Sequence, residues 1–439
     1  MKKLVMMSSA LMSIAAMPAF VRAQGVQDEQ ATDGGSGDLV VTARRQSESL
    51  RDIPDSIQAF SGATLEQAGV TSVNDLSGLV SGFHVIEAQQ PGVVLINIRG
   101  IGQVRFGEAP IAVVIDGVQQ SSPNQITQDL FDIEQIEFLK GPQGALYGRN
   151  ALGGAINIVT RKPRDRFEGS VEASYAAGND FKVRGVVSTP IGDVSGLRLG
   201  ASYRDRGGQI YNSTLDTDVD YDKTLNLRGS LLLHPSSNVT IDFSGSYLDQ
   251  EGGAAYYKAG APNESREPVV ANILGVGKRK LGDASMKVEV DFGGVTLQSV
   301  SAYSSVRSFI YEDLEWTPLD LLAASQSIKV DAVTQELRLS SNDRNAALRW
   351  VVGLYYLNTR QKVSTTLFGQ PDLTGLPDPV PLSLLTSKDN NHAYAAFGQI
   401  VYAFNDRVEL TAAVRYDIDD RRQRGLNPAS PTDPVPFRK

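Results

Sequence analysis

The 439-residue chain contains no cysteine. Disulfides, cysteine-ligated zinc and a thiol nucleophile are therefore excluded. Histidine is nearly as scarce: His84, His234 and His392 are the three present, far apart and in unlike contexts. His84 falls in a β-like run, where a hydrogen-bonded structural imidazole is the simplest reading. No HExxH, GxSxG or paired-carboxylate setting occurs, so no catalytic residue, metal site or cofactor is assigned and the chain does not read as an enzyme. Two glycine-rich stretches fail as nucleotide sites. Gly100-Ile101-Gly102 has Arg105 where a dinucleotide fingerprint needs its third glycine, and the loop after Lys140 lacks a G-K-[ST] ending. Positive charge is in deficit, with 42 Lys and Arg against 50 Asp and Glu, net -8. No basic stripe stands out for nucleic acid. After the N-terminal leader no run of 18 apolar residues occurs, so no transmembrane helix is expected. That test leaves an outer-membrane barrel open, because its strands are only half apolar.

The N-terminus has the layout of a targeting segment. Lys2 and Lys3 precede the apolar stretch Leu4 to Ala16, Pro18 interrupts it, and Val21-Arg22-Ala23 resembles a small-residue cleavage site. Residues 1–23 are therefore expected to be a signal peptide, and the rest to be secreted. Residues 24–51 read as a polar, glycine-rich tether. One β-forming run interrupts it: Asp38-Leu39-Val40-Val41-Thr42-Ala43. A lone exposed β segment is a hazard unless it finds a partner strand. From the residues alone two readings stay open, a peptide that adds to a strand of another protein or the first strand of the next domain.

Residues 52–163 read as a small α+β domain. Ser61 followed by Gly62 to Ala68 suggests a short helix stopped by Gly69. Ser72-Val73-Asn74-Asp75 has capping-box spacing and predicts a second helix, with Leu76 and Leu79 on its apolar side and a stop at Gly82. Short strands follow at Phe83 to Ile86, Val93 to Ile98 and Ile111 to Ile115. The domain ends in ITQDLFDIEQIEFLKGPQGALYGRNALGGAINIVTRKP, from Ile126 to Pro163. This reads as strand, glycine-rich loop, strand. Glycines at this density mark close backbone approach and positive φ.

From residue 166 to 439 the texture changes to long alternating strands. Leu197, Leu199, Ala201 and Tyr203 share one face, and Arg198, Gly200, Ser202 and Arg204 the other. Val239 to Tyr247, Met286 to Phe292 and Leu410 to Ile418 repeat the pattern. Period 2 with one polar face is the amphipathic strand signature. Tyr175, Tyr203, Tyr247 and Tyr416 fit an interfacial girdle, and long polar segments alternate with short turns, as in outer-membrane barrels. A soluble β-sandwich would give the same alternation. About eleven strands are expected between Phe167 and Ile418.

The Ile126–Pro163 stretch resembles, along its whole length, the end of the plug domain of TonB-dependent outer-membrane receptors. "IRGI" at Ile98 and "IDGV" at Ile115 are similar to plug motifs too, although Ile115 stands where the family often has Tyr. The resemblance implies a transmembrane antiparallel β-barrel around a small N-terminal α+β plug, in the bacterial outer membrane and in contact with its lipid. It implies that Asp38, Leu39, Val40, Val41, Thr42 and Ala43 form a TonB box, which binds TonB of the inner-membrane energy-transducing complex. Such barrels close with about 22 strands. An open half barrel is not viable in lipid, so about half of the barrel is expected here and the chain is expected to continue past Lys439. The segment before the box is short, which favours a plain importer. A ferric siderophore is the family's default cargo, with oligosaccharide, cobalamin and plant-derived compounds as alternatives; a non-energised adhesin or passive pore is the reading from another class. Substrate contacts are expected on Gln89, Gln90, Arg105 and Phe106 of the plug and Tyr256, Tyr257, Tyr311 and Trp316 of the barrel, although an interfacial belt would use the same aromatics. Family plug arginines pair with barrel glutamates. That implies contacts of Arg99 or Arg149 with Glu336, beside Arg338 on the lumen face of Thr334 to Ser340.

Overall fold

In the computed structural model the described residues are 56–438, apart from 89, 104–106, 259–266, 344–345, 406–407 and 427–436, together with the pairs 21–22, 40–41 and 48–49. The N-terminal unit holds β1 (Ile57–Ser61), α1 (Gly62–Gln67), β2 (Phe83–Glu87), β3 (Val94–Ile98), β4 (Ile111–Ile115), β5 (Ile133–Lys140), α2 (Gly144–Tyr147) and β6 (Gly154–Thr160). One sheet runs β1-β5-β6-β4 and ends on Val118–Gln119; β6 and β4 are parallel and the other pairs antiparallel. A second sheet joins β2, β3 and Ile101–Gly102.

Local chemistry explains these elements. Ser61 caps α1 by accepting from Thr64 N at 3.2 Å, and Gly69 ends it at φ +69°. The second expected helix is a single 3-10 turn, Asp75–Gly78. The Asp75 carboxylate accepts from the backbone and hydroxyls of both Thr71 and Ser72. That local closure competes with a longer helix. The glycine-rich loop is likewise not all loop, since it carries α2. Gly153 shows why glycine is required there: an added Cβ would lie 2.2 Å from Cγ2 of the buried Ile98. The core between the sheets is apolar, with Phe83 and Phe138 edge to face at 4.8 Å among Leu76, Ile96, Ile136 and Ile156.

The remainder is one large antiparallel sheet. Its strands are β7 (Glu168–Ala176), β8 (Asp180–Pro190), β9 (Ser195–Arg206), β10 (Asp222–Ser236), β11 (Val239–Gly253), β12 (Val276–Asp291), β13 (Val295–Asp313), β14 (Leu322–Ser341), β15 (Leu348–Gly369), β16 (Val380–Asn405) and β17 (Val408–Leu426). Each pairs with the next in sequence. The order is linear, from Val21–Arg22 beside β7 to Phe437–Arg438 beside β17. Connections on one side are short, as at 237–238 and 292–294, and on the other long, as at 207–221 and 254–275. In outer-membrane barrels the long side is extracellular and the short side periplasmic. A strand crosses the membrane in about 9–11 residues, so the 26 residues of β16 carry it well beyond the bilayer.

Alternation follows the sequence pattern. Leu199, Ala201 and Tyr203 are exposed, whereas Arg198 and Ser202 are buried. The inner face is not uniformly polar, however. On β13 the buried row runs Val300, Ala302, Ser304, Val306, Ser308, Ile310. Val300 and Ala302 pack on Val118 of the N-terminal unit. The unit occupies that face, so part of the row is core rather than wetted lumen.

Candidate functional site

The plug is seated on the sheet along two unlike seams. The first faces β8–β13 and is ionic. Asp129 accepts from Lys182 Nζ at 3.0 Å and from Ser202 Oγ at 2.7 Å. Asp132 holds Arg198 in a two-pronged pair, Nε–Oδ2 at 2.7 Å and Nη2–Oδ1 at 2.5 Å, with side-chain exposures of 8% and 5%. Such forks match guanidinium to carboxylate geometry. Gln125 Nε2 donates to Asp283 Oδ1 at 2.9 Å. Arg228 donates to Phe131 O at 3.0 Å and lies over the Phe131 ring. At the periplasmic end, Lys162 lies between Asp116 and Asp242, at 3.3 and 2.9 Å. Burial alone would lower the Lys162 pKa; Asp116 and Asp242 outweigh it and hold the ammonium above its usual range. The raised value means that its stabilisation is full at neutral pH and is lost only as pH rises past 10.5.

Arg279 of β12 is the most embedded of these cations, with 3% exposure. Its Nη1 donates to Gly92 O, Asn124 O and Thr127 Oγ1, and its Nη2 to Gln250 Oε1 on β11. Three separate plug positions are thus gathered on one barrel side chain. Gly92 has φ +74°, and an added Cβ would lie 2.1 Å from Arg279 Nη2. Gly92→Ala is therefore expected to weaken plug seating by about 1–3 kcal/mol through backbone strain and displacement of the guanidinium. Hydrogen exchange should show faster exchange of the amides of 92, 124 and 127, while α1 keeps its protection.

The expected contacts of Arg99 and Arg149 with Glu336 are corrected. Glu336 is buried and pairs along its own strand with Arg338, Nε–Oε1 at 2.6 Å. Residues two apart share one strand face, so this acid has a guanidinium beside it without the plug. Arg149 pairs with Glu108 at 2.7 Å, and Glu108 in turn reaches Arg421 of β17 at 3.2 Å. Arg99 sits exposed on a turn at φ +48°, its backbone N donating to Gly82 O. At the Asp129 and Asp132 contacts the polarity is reversed, with the cations Lys182 and Arg198 on the barrel and the carboxylates on the plug, whereas Lys162 of the plug meets Asp242 of the barrel in the expected sense.

On the long-connection side of the plug lies a cavity of about 710 Å³. Gln90, Gln120 and Arg149 border it from the plug, and Asp389, Arg421 and Arg422 from the strands. Gln90 also donates to Ser308 Oγ of β13 at 2.8 Å. The aromatic candidates stand apart from this lining. Tyr257 and Trp316 meet edge to face at 5.8 Å, and Tyr311 packs on Phe368 at 6.3 Å. Tyr256 lies in the connection beside Tyr257, where burial raises its phenol pKa. Gln89, Arg105 and Phe106 fall outside the described residues. So do Asp38, Leu39, Thr42 and Ala43 of the expected TonB box. Val40 and Val41 are described, and they pair antiparallel with Ser49 and Glu48.

A plug domain seated on a long-stranded antiparallel sheet, with apolar residues turned outward, defines the class: a plugged β-barrel of the outer membrane. Residues 49–155 match the TonB-dependent receptor plug domain, so this part of the chain is a plug domain of that family. It is similar to the pesticin receptor of Yersinia pestis, 26% identical over 425 residues, covering 92% of this chain and 58% of that protein. It is also similar to the iron-regulated outer membrane virulence protein of Vibrio cholerae serotype O1, 30% identical over 252 residues, 51% of this chain and 35% of that one. Among solved structures, the ferric yersiniabactin uptake receptor FyuA of Yersinia pestis superposes with a TM-score of 0.78, covering 88% of this chain and 60% of that one. At 21% identity that likeness concerns the fold alone. The chain thus spans somewhat more than half the length of the pesticin receptor.

Proposed function

We propose that the receptor to which this chain belongs binds a ferric siderophore on the extracellular side of its plug and imports it into the periplasm with energy delivered by TonB. The observation that carries this reading is the 710 Å³ cavity, which has the size of a small-molecule site. Its border mixes carboxamides with the guanidinium groups of Arg149, Arg421 and Arg422 and with two carboxylates, Glu108 and Asp389, and the excess of guanidinium groups suits a metal complex wrapped in anionic oxygen donors. The similar proteins point the same way, one being an iron-regulated outer membrane protein and another a ferric yersiniabactin uptake receptor. A plug fixed by buried ion pairs has no use in a passive pore, which favours energised transport. On the same reading residues 1–23 are a cleaved leader, and Asp38 to Ala43 are the TonB box at the end of a tether.

Calorimetric titration of the full-length receptor tests the cargo. Ferric yersiniabactin, a ferric catecholate and a ferric hydroxamate would be compared with cobalamin and maltodextrin. Saturable binding of one ferric complex at micromolar Kd or tighter, about 8 kcal/mol or more, is the expected result. Binding of cobalamin or maltodextrin with none of the ferric complexes would overturn the assignment.

A further inference from the structure

Two cavities meet at one side chain. Gln120 borders the 710 Å³ outer cavity and also a smaller one of about 60 Å³, which lies between the plug and the wall of β9–β13. The Gln120 residue is 8% exposed. Its Nε2 reaches Val118 O at a long 3.4 Å, and its Oε1 has no hydrogen-bond partner among the described residues. A buried acceptor left unmet costs roughly 1–3 kcal/mol, so this amide is weakly held where it stands.

Most residues that line the smaller cavity are polar, although Ile115, Val118 and Ala284 also face it. Arg228 borders it, making one hydrogen bond among the described residues, to Phe131 O. Asp283 borders it from β12, and the wall behind is cut back to small residues, Gly200, Ser230, Ser244 and Ser246. A polar space of this volume accommodates about four waters. The seam on the other side of the plug differs in kind. There Leu146, Tyr147 and Ala151 pack on Val351 of β15 and Phe397 of β16. Arg415 covers the rings of Tyr355 and Phe397 at 5.6 and 5.4 Å. Opening that seam would expose apolar surface at about 25 cal/mol per Å², whereas opening the seam against β9–β13 exchanges hydrogen-bonding partners for water and must also part the buried Asp132–Arg198 pair.

We infer that cargo passes the plug along the polar seam against β9–β13, with Gln120 as the side chain dividing the outer cavity from that seam, while the apolar seam against β15 and β16 stays docked. This rests on the import reading for its physiological meaning. The outer cavity and the seam cavity then form one path from the extracellular side towards the Lys162 end of the plug.

Thiol access tests the inference, because this chain has no cysteine of its own. Single cysteines are placed at Ser246 on the polar seam and at Val351 on the apolar one, in the full-length receptor freed of any other cysteine. Intact cells of a porin-deficient strain are treated from outside with methanethiosulfonate ethyltrimethylammonium. Ser246→Cys should react slowly alone, at least tenfold faster with Gln120→Ala, and more slowly still with Gln120→Trp. Val351→Cys should react slowly in every background. Gln120→Ser replaces Gln120→Ala if the latter fails to assemble, assembly being judged by heat-modifiable migration. An unchanged Ser246→Cys rate, or an equal gain at Val351→Cys, would overturn the seam. Neither cargo nor TonB enters this assay. A receptor that imports a ferric complex but shows no Gln120 dependence sinks the seam alone, and one that binds no ferric complex sinks the import reading alone.

Discussion

Replacing Arg198 by alanine is expected to cost the seated plug about 3–5 kcal/mol, because the Asp132 carboxylate would be left buried without its charge partner. Both side chains are almost wholly enclosed, at 8% and 5% exposure, so solvent can do little to replace the guanidinium. Asp132 lies in the left-handed region at φ +60°, which fixes the direction of its carboxylate towards β9. The plug should dissociate at lower urea concentration than the barrel, and the full-length receptor should conduct small ions in a planar bilayer where the parent is closed. Asp132→Ala should do comparable damage. The double variant should be less damaging than the sum of the singles, since it removes the orphaned charge as well as the pair. Exposed pairs such as Arg422 with Asp420 should cost about 0–1 kcal/mol and leave the receptor closed. Additivity across Asp132 and Arg198 would mean that the pair does not hold the plug.

Val40→Pro is expected to abolish energised uptake while leaving surface binding of the ferric complex within about twofold. Proline removes a ladder donor and fixes φ, so a strand carrying it cannot complete an added edge. In the structure Val40 and Val41 pair with Ser49 and Glu48 in a two-residue antiparallel ladder, so these two residues have the extended backbone that strand addition needs. Val40→Ala keeps the backbone donor and should retain most uptake. Normal import by Val40→Pro cells would contradict the TonB-box assignment. Loss of binding together with uptake would point instead to a misassembled receptor.

The barrel and much of the plug were legible because their signals are local. Alternation along Leu197 to Arg204 states which face is buried, and Gly69 and Gly82 stop their segments at positive φ. The second helix was over-read because Asp75 satisfies donors on Thr71 and Ser72 in a way that spacing alone does not reveal. The seam was half legible. Arg198 and Ser202 stood on the polar face of their strand, but Asp132 lies 66 residues away from Arg198, and a period of two names no partner. The error over Glu336 has the same origin: its face could be assigned, but not that Arg338 on that face would take the carboxylate. Arg279 gave no warning, because its acceptors Gly92 O and Asn124 O are backbone atoms that carry no residue signature. The aromatics Tyr257 and Trp316 drew attention by type, yet they pack on each other away from the outer cavity.

The most direct test of energised import is accumulation of radioactive iron, supplied as the ferric complex that the titration identifies, in cells whose sole iron receptor is the full-length protein. Accumulation should rise steadily in energised cells and fall to the surface-bound level when a protonophore is added or TonB is deleted, with surface binding unchanged. Accumulation that continues at the same rate without proton-motive force or TonB would contradict the account and describe a passive pore.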